Sequence, residues 1–338
     1  MNRKRFLDLL EQLRSRRVAV VGDYLLDQYI LGTTSRVSRE APIPVIDYQQ
    51  SAHHPGGAAN AAQNVTALGA IAVAVGVLGD DSEGATLSEL LRGRGVDTHA
   101  LLLAPGEATS TKLRIMAGEM NAQKQQVARV DRSHRVALAG DLAARLLTAI
   151  SGAVASSDAV LLADYGLGVL SPPIVEHAIA RARERKIPIV VDSRYRLAWF
   201  RGATVAVPNE VEAMEALGIE READLVNADA MQRRVADCGL EGIIVTRGSL
   251  GMIVCDARGA FETIGIAGSR EATDVTGAGD TVAAMVALAL AAGGTLAEAA
   301  HMATFAASVV VMKRGTATTS PDEVRAAIAA SDGAGEHV

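Results

Sequence analysis

This 338-residue chain predicts an α/β fold: a doubly wound, mostly parallel sheet with helices on both faces and a small β-sheet lid. Three observations carry that reading. Short apolar strand-like runs alternate with helix-like stretches along most of the chain, as in βαβ units. A polar residue recurs just past the ends of those runs, where open α/β sheets take up ligands. Two segments, about 28–50 and 107–130, break the alternation and read as short extended pieces.

In chain order, Arg3 to Glu11 starts basic like a secretion signal, but Asp8 and Glu11 interrupt its apolar part and no cleavage-like end follows. It reads as a short amphipathic surface helix. Val18 to Val21 is a buried strand ending in Gly22-Asp23, Ala59 to Leu68 a small-residue helix, and Ile71 to Val77 the next strand. Ala159 to Leu162 ends in Ala163-Asp164, and Pro188 to Val191 ends in Asp192, with a helix from Ile174 to Arg185 between them. Thr204 to Val207 ends in Pro208-Asn209, and Gly242 to Val245 ends in Thr246-Arg247-Gly248. Asp23, Asp164, Asp192, Asn209 and Thr246 thus share one predicted sheet edge. The two interruptions hold Tyr29 to Gly32, Pro42 to Ile46, Thr111 to Met116 and Gln126 to Val130, with turns at Gly118 and Asn121. They would form a separate small sheet over the active edge. Its open strand edges make it the expected homodimer surface. Residues 1–330 read as a single domain, with a helix starting at Ser320-Pro321-Asp322-Glu323 and a disordered tail over 331–338.

Composition narrows the function. Hydrophobic residues make up 49% and aromatics only 3%, so Ala, Val, Leu and Gly carry a close-packed core. A formal charge of −6 leaves no general basic surface for nucleic acid. No run reaches the roughly 18 apolar residues of a membrane span. Cys238 and Cys255 form neither a metal spacing nor a disulfide framework, which suits a reduced, cytoplasmic setting.

The most informative motif is Asp274-Val275-Thr276-Gly277-Ala278-Gly279-Asp280, followed by an apolar run. Gly277, Ala278 and Gly279 leave bare backbone where a helix begins near Asp280. Free N–H groups and the positive dipole end make an anion site there. Asp280 beside it could take a proton from an attacking hydroxyl. The alternative is an ordinary acidic N-cap. Pro55-Gly56-Gly57-Ala58-Ala59-Asn60 opens the first long helix, and Asn60 and Asn64 share one face. Those amides suit sugar hydroxyls, or are incidental to tight packing. Asp23 and Asp27 could accept bonds from a polyol, although Asp23 could simply cap a turn. Asn209-Glu210-Val211-Glu212 at a helix start either compensates the dipole or helps hold Mg²⁺ through waters. Thr246, Gly248 and Gly251 punctuate a loop that could pass a nucleotide. Among the lid cations Arg36, Lys112, Arg114 and Arg129, some would meet a phosphorylated substrate. His53 and His54 are adjacent and make a poor metal pair. No P-loop or protein-kinase set occurs, and Val282 spoils a dinucleotide reading of Gly277-Ala278-Gly279.

Taken together, the early Gly56-Gly57 with Asn60, the N-x-x-E at 209–212 and the late D-x-T-G-A-G-D at 274–280 resemble the ribokinase-like (PfkB) carbohydrate kinases. The resemblance runs from about residue 16 to 330. It implies a doubly wound sheet with a β lid, ATP and Mg²⁺ as cofactors, and a small-molecule acceptor. It implies Asp280 as catalytic base, Gly277 to Gly279 as anion hole, and Asp27, Gly56, Gly57 and Asn60 at the sugar, with Asp23 and Asn64 added. Asn209, Glu210 and Glu212 would serve Mg²⁺ and phosphates, and Thr246, Gly248 and Gly251 the nucleotide. Asp274 would lie where relatives bind a monovalent cation such as K⁺. Gly22 to Tyr29, Thr34 to Val45, Pro55 to Asn60 and Thr111 to Arg114 look most like the branch acting on D-glycero-β-D-manno-heptose 7-phosphate. That likeness implies heptose 1,7-bisphosphate as product, on the ADP-heptose route to the lipopolysaccharide core. Lys112 and Arg129 are the candidates for the substrate phosphate. With no H-x-G-H motif, a stand-alone kinase is expected rather than a fusion with an adenylyltransferase. Asp164-Tyr165-Gly166-Leu167-Gly168 lacks a lysine frequent in that branch. Ser193-Arg194 replaces an expected Pro-Lys, and Thr304 an expected Asn. Ribose, fructose and fructose 6-phosphate stay open as acceptors, as does a non-catalytic sugar-phosphate binding protein.

Overall fold

The computed structural model describes residues 3–119, 124–194, 196–269 and 271–331. The turn expected at Asn121 and the expected tail beyond Ser331 lie outside them. Helix α1 (Arg3–Gln12) leads into β1 (Arg17–Gly22), and the chain then leaves the main sheet through β2 (Tyr24–Val37) and β3 (Pro44–Gly57). It returns through α2 (Ala58–Ala67), β4 (Ile71–Gly79), α3 (Ser82–Gly93) and β5 (Asp97–Ala104). A second excursion makes β6 (Thr111–Gly118) and β7 (Gln125–Arg132). Next come α4 (Gly140–Ala155), β8 (Ala159–Asp164), α5 (Pro172–Glu184), β9 (Ile189–Ser193) and β10 (Val205–Ala206). Helices α6 (Glu210–Leu217), α7 (Glu222–Leu225) and α8 (Ala228–Cys238) precede β11 (Gly242–Thr246), β12 (Met252–Asp256) and β13 (Phe261–Ile264). Helices α9 (Ala278–Ala291), α10 (Leu296–Val310) and α11 (Pro321–Ala330) complete the order.

The main sheet has nine strands in the order β13-β12-β11-β10-β9-β8-β1-β4-β5. It is parallel from β5 to β11, while β12 and β13 add antiparallel strands at one edge. Strand β1 shows why the parallel strands read as unbroken apolar runs. Val18 and Val20 enter the core on one face, and Ala19 and Val21 the core on the other. Helices α1, α2, α9, α10 and α11 cover the first face; α4, α5 and α8 cover the second. The chain leaves β1 toward β4 and leaves β8 toward β9, in opposite directions, so the β1/β8 boundary is a topological switch point.

Two local expectations change. Helix α1 is more than a surface helix. Its Phe6, Leu9 and Leu10 are buried, with Phe6 edge-on to Phe305 at 5.8 Å. The small sheet, ordered β3-β2-β6-β7, starts earlier and ends later than residues 28–50. Tyr24 and Leu25 already pair with Gly57 and Gly56. Those glycines are thus the last residues of β3, and Gly57, at φ 59°, caps α2. Leu25 and Leu26 are fully buried, so their composition resembles core strand rather than lid. At the other end of the chain, Ser320 and Glu323 form the reciprocal capping box that starts α11. No helix of the described residues is long and apolar enough to cross a membrane.

Candidate active site

The site is built where β1 and β8 end. Past β1, the buried Asp23 carboxylate accepts the backbone N–H groups of Tyr165 and Leu167, each at 2.9 Å, and of Val169 at 3.0 Å. The sequence offers Asp23 either to a polyol or to a turn. The structure spends both its oxygens on the loop that follows β8. Burial raises the Asp23 pKa, and the three N–H bonds oppose that rise. Asp164, also buried, accepts from Gly166 N–H at 3.0 Å and Ser193 Oγ at 2.8 Å, tying the same loop to β9.

Helix α9 is apolar all round, and every residue from Asp280 to Ala289 is buried. Its small side chains let α2 pack closely, and that approach assembles the polar centre. Asn60 donates to Asp280 Oδ2 at 2.5 Å, and Thr281 Oγ1 donates to Asn64 Oδ1 at 2.9 Å. Both asparagines are wholly buried, and Asn64 serves helix pairing. Gln63 donates to Asn60 Oδ1 at 2.5 Å, which orients the Asn60 amide with its NH₂ toward Asp280. The helix begins two residues before Asp280, with Gly277 as N-cap at φ 80°. A Cβ on Gly277 would stand 2.7 Å from Asn60 Nδ2, so both the left-handed backbone and the space require glycine. Beside Gly279 a Cβ would meet nothing within 4 Å, leaving room for a ligand against the helix start.

Asp280 accepts a second bond, from the Tyr165 hydroxyl, on Oδ1. Burial raises its pKa to about 6, against the pull of Tyr165, Asn60 and Arg194; Asp27 adds a small rise. Asp192 at the end of β9 is pushed well up, by burial first and then by Asp280 and Glu212. A carboxylate with a pKa near neutrality, beside a helix N-terminus, suits proton abstraction next to a bound anion.

The lid sheet brings charges over this centre. Strands β2 and β6 run parallel with Asp27 opposite Lys112, and Lys112 faces Asp131 on β7. Asp27 is buried and paired with Arg114 at 2.6 Å. Gly56 is confined by that carboxylate, since a Cβ would come within 2.8 Å of Asp27 Oδ2. Between lid and main sheet lies a cavity of about 270 Å³ whose lining includes Thr111, Lys112, Arg129, Ser133, Tyr165 and Arg194. Lys112 is pushed below its usual pKa, by burial first and then by Arg194; Arg129 and Arg114 add to this. Thr111 Oγ1 is buried without a hydrogen-bond partner. Arg129 is already in a two-bond ion pair with Asp131, at 2.6 and 2.7 Å.

The remaining predicted residues lie on other elements. Asn209 and Glu212 form a complete capping box on α6: Asn209 N–H donates to Glu212 at 3.0 Å and Glu212 N–H to Asn209 at 2.9 Å. Glu210 pairs with Arg247. Thr246 ends β11 and bridges Asn209. Gly248 has open space around a Cβ, whereas at Gly251 a Cβ would lie 2.0 Å from Ile264 O. Thr304 is buried, with its hydroxyl on Ala300 O at 2.9 Å. Asp274 accepts N–H groups from Thr276 and Gly315, both at 2.9 Å. Burial works against its ionisation, but these bonds outweigh it and lower its pKa. Among the described residues no three His, Cys, Asp or Glu converge as a metal cluster. Sequence reasoning missed Tyr165 as a partner of Asp280. The signal was its place directly after Asp164 at a strand end.

A model of the pfkB family of carbohydrate kinases matches residues 15–323. The bifunctional protein HldE of Caulobacter vibrioides is 41% identical over 318 residues, covering 94% of this chain and 64% of that protein. That of Gluconacetobacter diazotrophicus is 39% identical over 316 residues, covering 93% and 64%. The chain thus spans just under two thirds of these curated relatives. Among solved structures, Arabidopsis thaliana ribokinase complexed with ribose and ATP superposes with a TM-score of 0.70 at 21% identity, covering 93% of this chain and 99% of that one. Escherichia coli phosphofructokinase-2 in complex with potassium gives 0.72 at 20%, covering 93% and 98%.

Proposed function

This chain belongs to the pfkB family of carbohydrate kinases, and from that membership we propose that it transfers the γ-phosphoryl group of ATP to O1 of D-glycero-β-D-manno-heptose 7-phosphate. The product is heptose 1,7-bisphosphate, an intermediate toward ADP-heptose. One observation carries the acceptor assignment. The cation-lined cavity at Lys112, Arg129 and Arg194 lies on the lid side of Tyr165, apart from the anion site at the start of α9. An acceptor that already bears a phosphate needs two such places, one for the group transferred and one for the group it keeps. The lid segment from Ser35 to Val45, together with Lys112, supports heptose 7-phosphate over ribose, fructose or fructose 6-phosphate.

Asp280 takes the proton of the attacking hydroxyl, and the N–H groups at Gly277 to Gly279 stabilise charge on the phosphoryl oxygens. The open flanks of Gly279 and Gly248 fit nucleotide phosphates approaching the backbone. Mg²⁺ fits as an ion held largely by water and phosphate, with Glu212 and Asn209 as its protein side; when bound it neutralises phosphate charge. A monovalent cation such as K⁺ belongs near Asp274. The lid sheet excludes water from the transfer and forms the homodimer contact.

A coupled kinase assay across heptose 7-phosphate, fructose 6-phosphate, heptose, ribose and fructose tests the assignment. Heptose 7-phosphate is expected to give the highest kcat/KM, and a preference for any unphosphorylated sugar rules the assignment out. Lys112→Ala should weaken the phosphorylated acceptor by one to two decades, given about 1.5–3 kcal/mol for a charge-assisted bond to phosphate. The KM for ATP should stay near wild type. Equal weakening of phosphorylated and plain heptose would make Lys112 a lid support instead.

Glu212→Gln keeps a residue competent in a capping box while removing the charge. It should raise the Mg²⁺ concentration needed for half-maximal rate and lower kcat, with the melting temperature held. An unchanged Mg²⁺ titration would leave capping as the whole role of Glu212.

A further inference from the structure

Tyr165 touches both the proposed base and the cation-lined cavity. Its hydroxyl donates to Asp280 Oδ1 while Asn60 holds Oδ2, so each oxygen of the base already has a donor. Its ring lies against two cations, with Lys112 Nζ 5.2 Å and Arg194 Cζ 4.9 Å from the ring centroid. Both cations line the cavity. The Tyr165 backbone is fixed by its N–H bond to Asp23, so its remaining freedom is rotation of the side chain.

We propose that Tyr165 is a positioning residue coupling anion occupancy of this cavity to release of Asp280, so that an acceptor already carrying a phosphate frees the base that activates its own hydroxyl. The inference rests on the sugar-phosphate reading above. A charge-assisted hydrogen bond to phosphate is stronger than a cation–π contact. A phosphate entering the cavity therefore draws Lys112 and Arg194 off the ring. Asp27, the carboxylate that most directly offsets the Lys112 charge, is committed to Arg114, which leaves Lys112 available to the incoming anion. With the cation contacts gone, only the hydrogen bond to Asp280 holds the phenol, and the acceptor hydroxyl, positioned by its bound phosphate, displaces it from Oδ1. No covalent bond changes in this step; one hydrogen-bond donor replaces another. An acceptor lacking the phosphate leaves the phenol on the base. The charged and titratable groups facing Asp280 are Asp27 from β2, Tyr165 from the loop after β8, and Asp192 and Arg194 from the end of β9; the neutral Asn60 faces it from α2.

Tyr165→Phe keeps the ring and removes the donor. The test compares kcat and KM for D-glycero-D-manno-heptose 7-phosphate and plain heptose between pH 5 and 9, in wild type and variant. The wild type should favour the phosphorylated sugar in kcat as well as KM. In the variant the kcat gap should close about tenfold or more while the KM gap persists, because the cations still bind phosphate. The acid limb should move to higher pH, because Asp280 loses a donor that favours its ionised form. A kcat gap that stays at its wild-type value overturns the coupling, whatever the acid limb does. A second arm needs no turnover: ¹³Cζ-tyrosine NMR during titration with inorganic phosphate. The resonance missing in Tyr165→Phe should shift in the wild type and stay still in Lys112→Ala. No shift in the wild type, or an undiminished shift in Lys112→Ala, overturns the coupling. If the wild type phosphorylates no heptose phosphate, the functional assignment falls, and the phosphate titration still decides the role of Tyr165.

Discussion

Asp280→Asn should lower kcat by about 10²- to 10⁴-fold, the usual range for loss of a general base, and leave binding of both substrates near wild type. The buried carboxyl has a pKa of about 6, so wild-type kcat/KM should fall as pH drops through that value. The same shift makes a stability prediction. The folded-state pKa lies above the 3.8 of an ordinary aspartate, so the native state binds a proton more tightly than the unfolded chain. The favourable linkage is fully present below pH 3.8, fades between about 4 and 6, and leaves the ionised buried carboxylate as a cost above pH 6. That cost is at most about 3 kcal/mol. Asparagine does not ionise, so the melting temperature of Asp280→Asn relative to wild type should be higher at pH 8 than at pH 5. A variant retaining more than about a tenth of wild-type kcat would remove Asp280 from the role of base. An equal difference in melting temperature at both pH values would contradict the raised pKa.

Asp23→Ala should be the most damaging change to the fold among the site residues. It strands three backbone N–H groups, of Tyr165, Leu167 and Val169, at a carboxylate that is 1% exposed. Each buried unsatisfied donor costs about 1–3 kcal/mol, and removing a buried charge returns part of that. A net loss of roughly 3 kcal/mol is expected in urea unfolding. Activity should fall as well, because this loop lines the lid-side cavity through Tyr165 and Leu167. Asp23→Asn retains one acceptor oxygen and should lose less on both counts. A loss under about 0.5 kcal/mol for Asp23→Ala would mean that the loop holds itself without the carboxylate.

The two cases differ in how readable they were. Asp280 could be singled out because its chemistry is local: a glycine-rich turn, a helix start and a carboxylate within four residues. Asp23 was legible as a polar residue at a strand end, but its use was not, because its partners lie more than 140 positions away. Asn60 and Asn64 were read correctly as sharing a helix face. What that face meets depends on how closely α9 packs, and they meet Asp280 and Thr281 rather than solvent. The N-x-x-E at 209–212 reads as serving either Mg²⁺ or the helix start, and the structure shows it as a full capping box on α6. Strands β5, β12 and β13 went unread; in β13 the exposed Glu262 and Thr263 dilute the apolar content, whereas β12 is a short buried apolar run that periodicity alone does not assign to strand or helix.

Sequence by itself determined the alternation of strand and helix, the two excursions that make the small sheet, the polar edge of the main sheet and the glycine-rich helix start before Asp280. All of these follow from periodicity, turn chemistry and helix-end physics, which act within some ten residues. Tertiary structure alone decided which polar groups face a ligand and which face one another. The β1/β8 switch point set Asp23 under the Tyr165 loop, close packing of small residues set Asn60 on Asp280, and the parallel pairing of β2 with β6 set Asp27 opposite Lys112. Each is a contact between segments distant in the chain. A hydrogen bond carries no trace in local composition, so only the folded arrangement separates the carboxylate that holds a loop from the one proposed to take a proton.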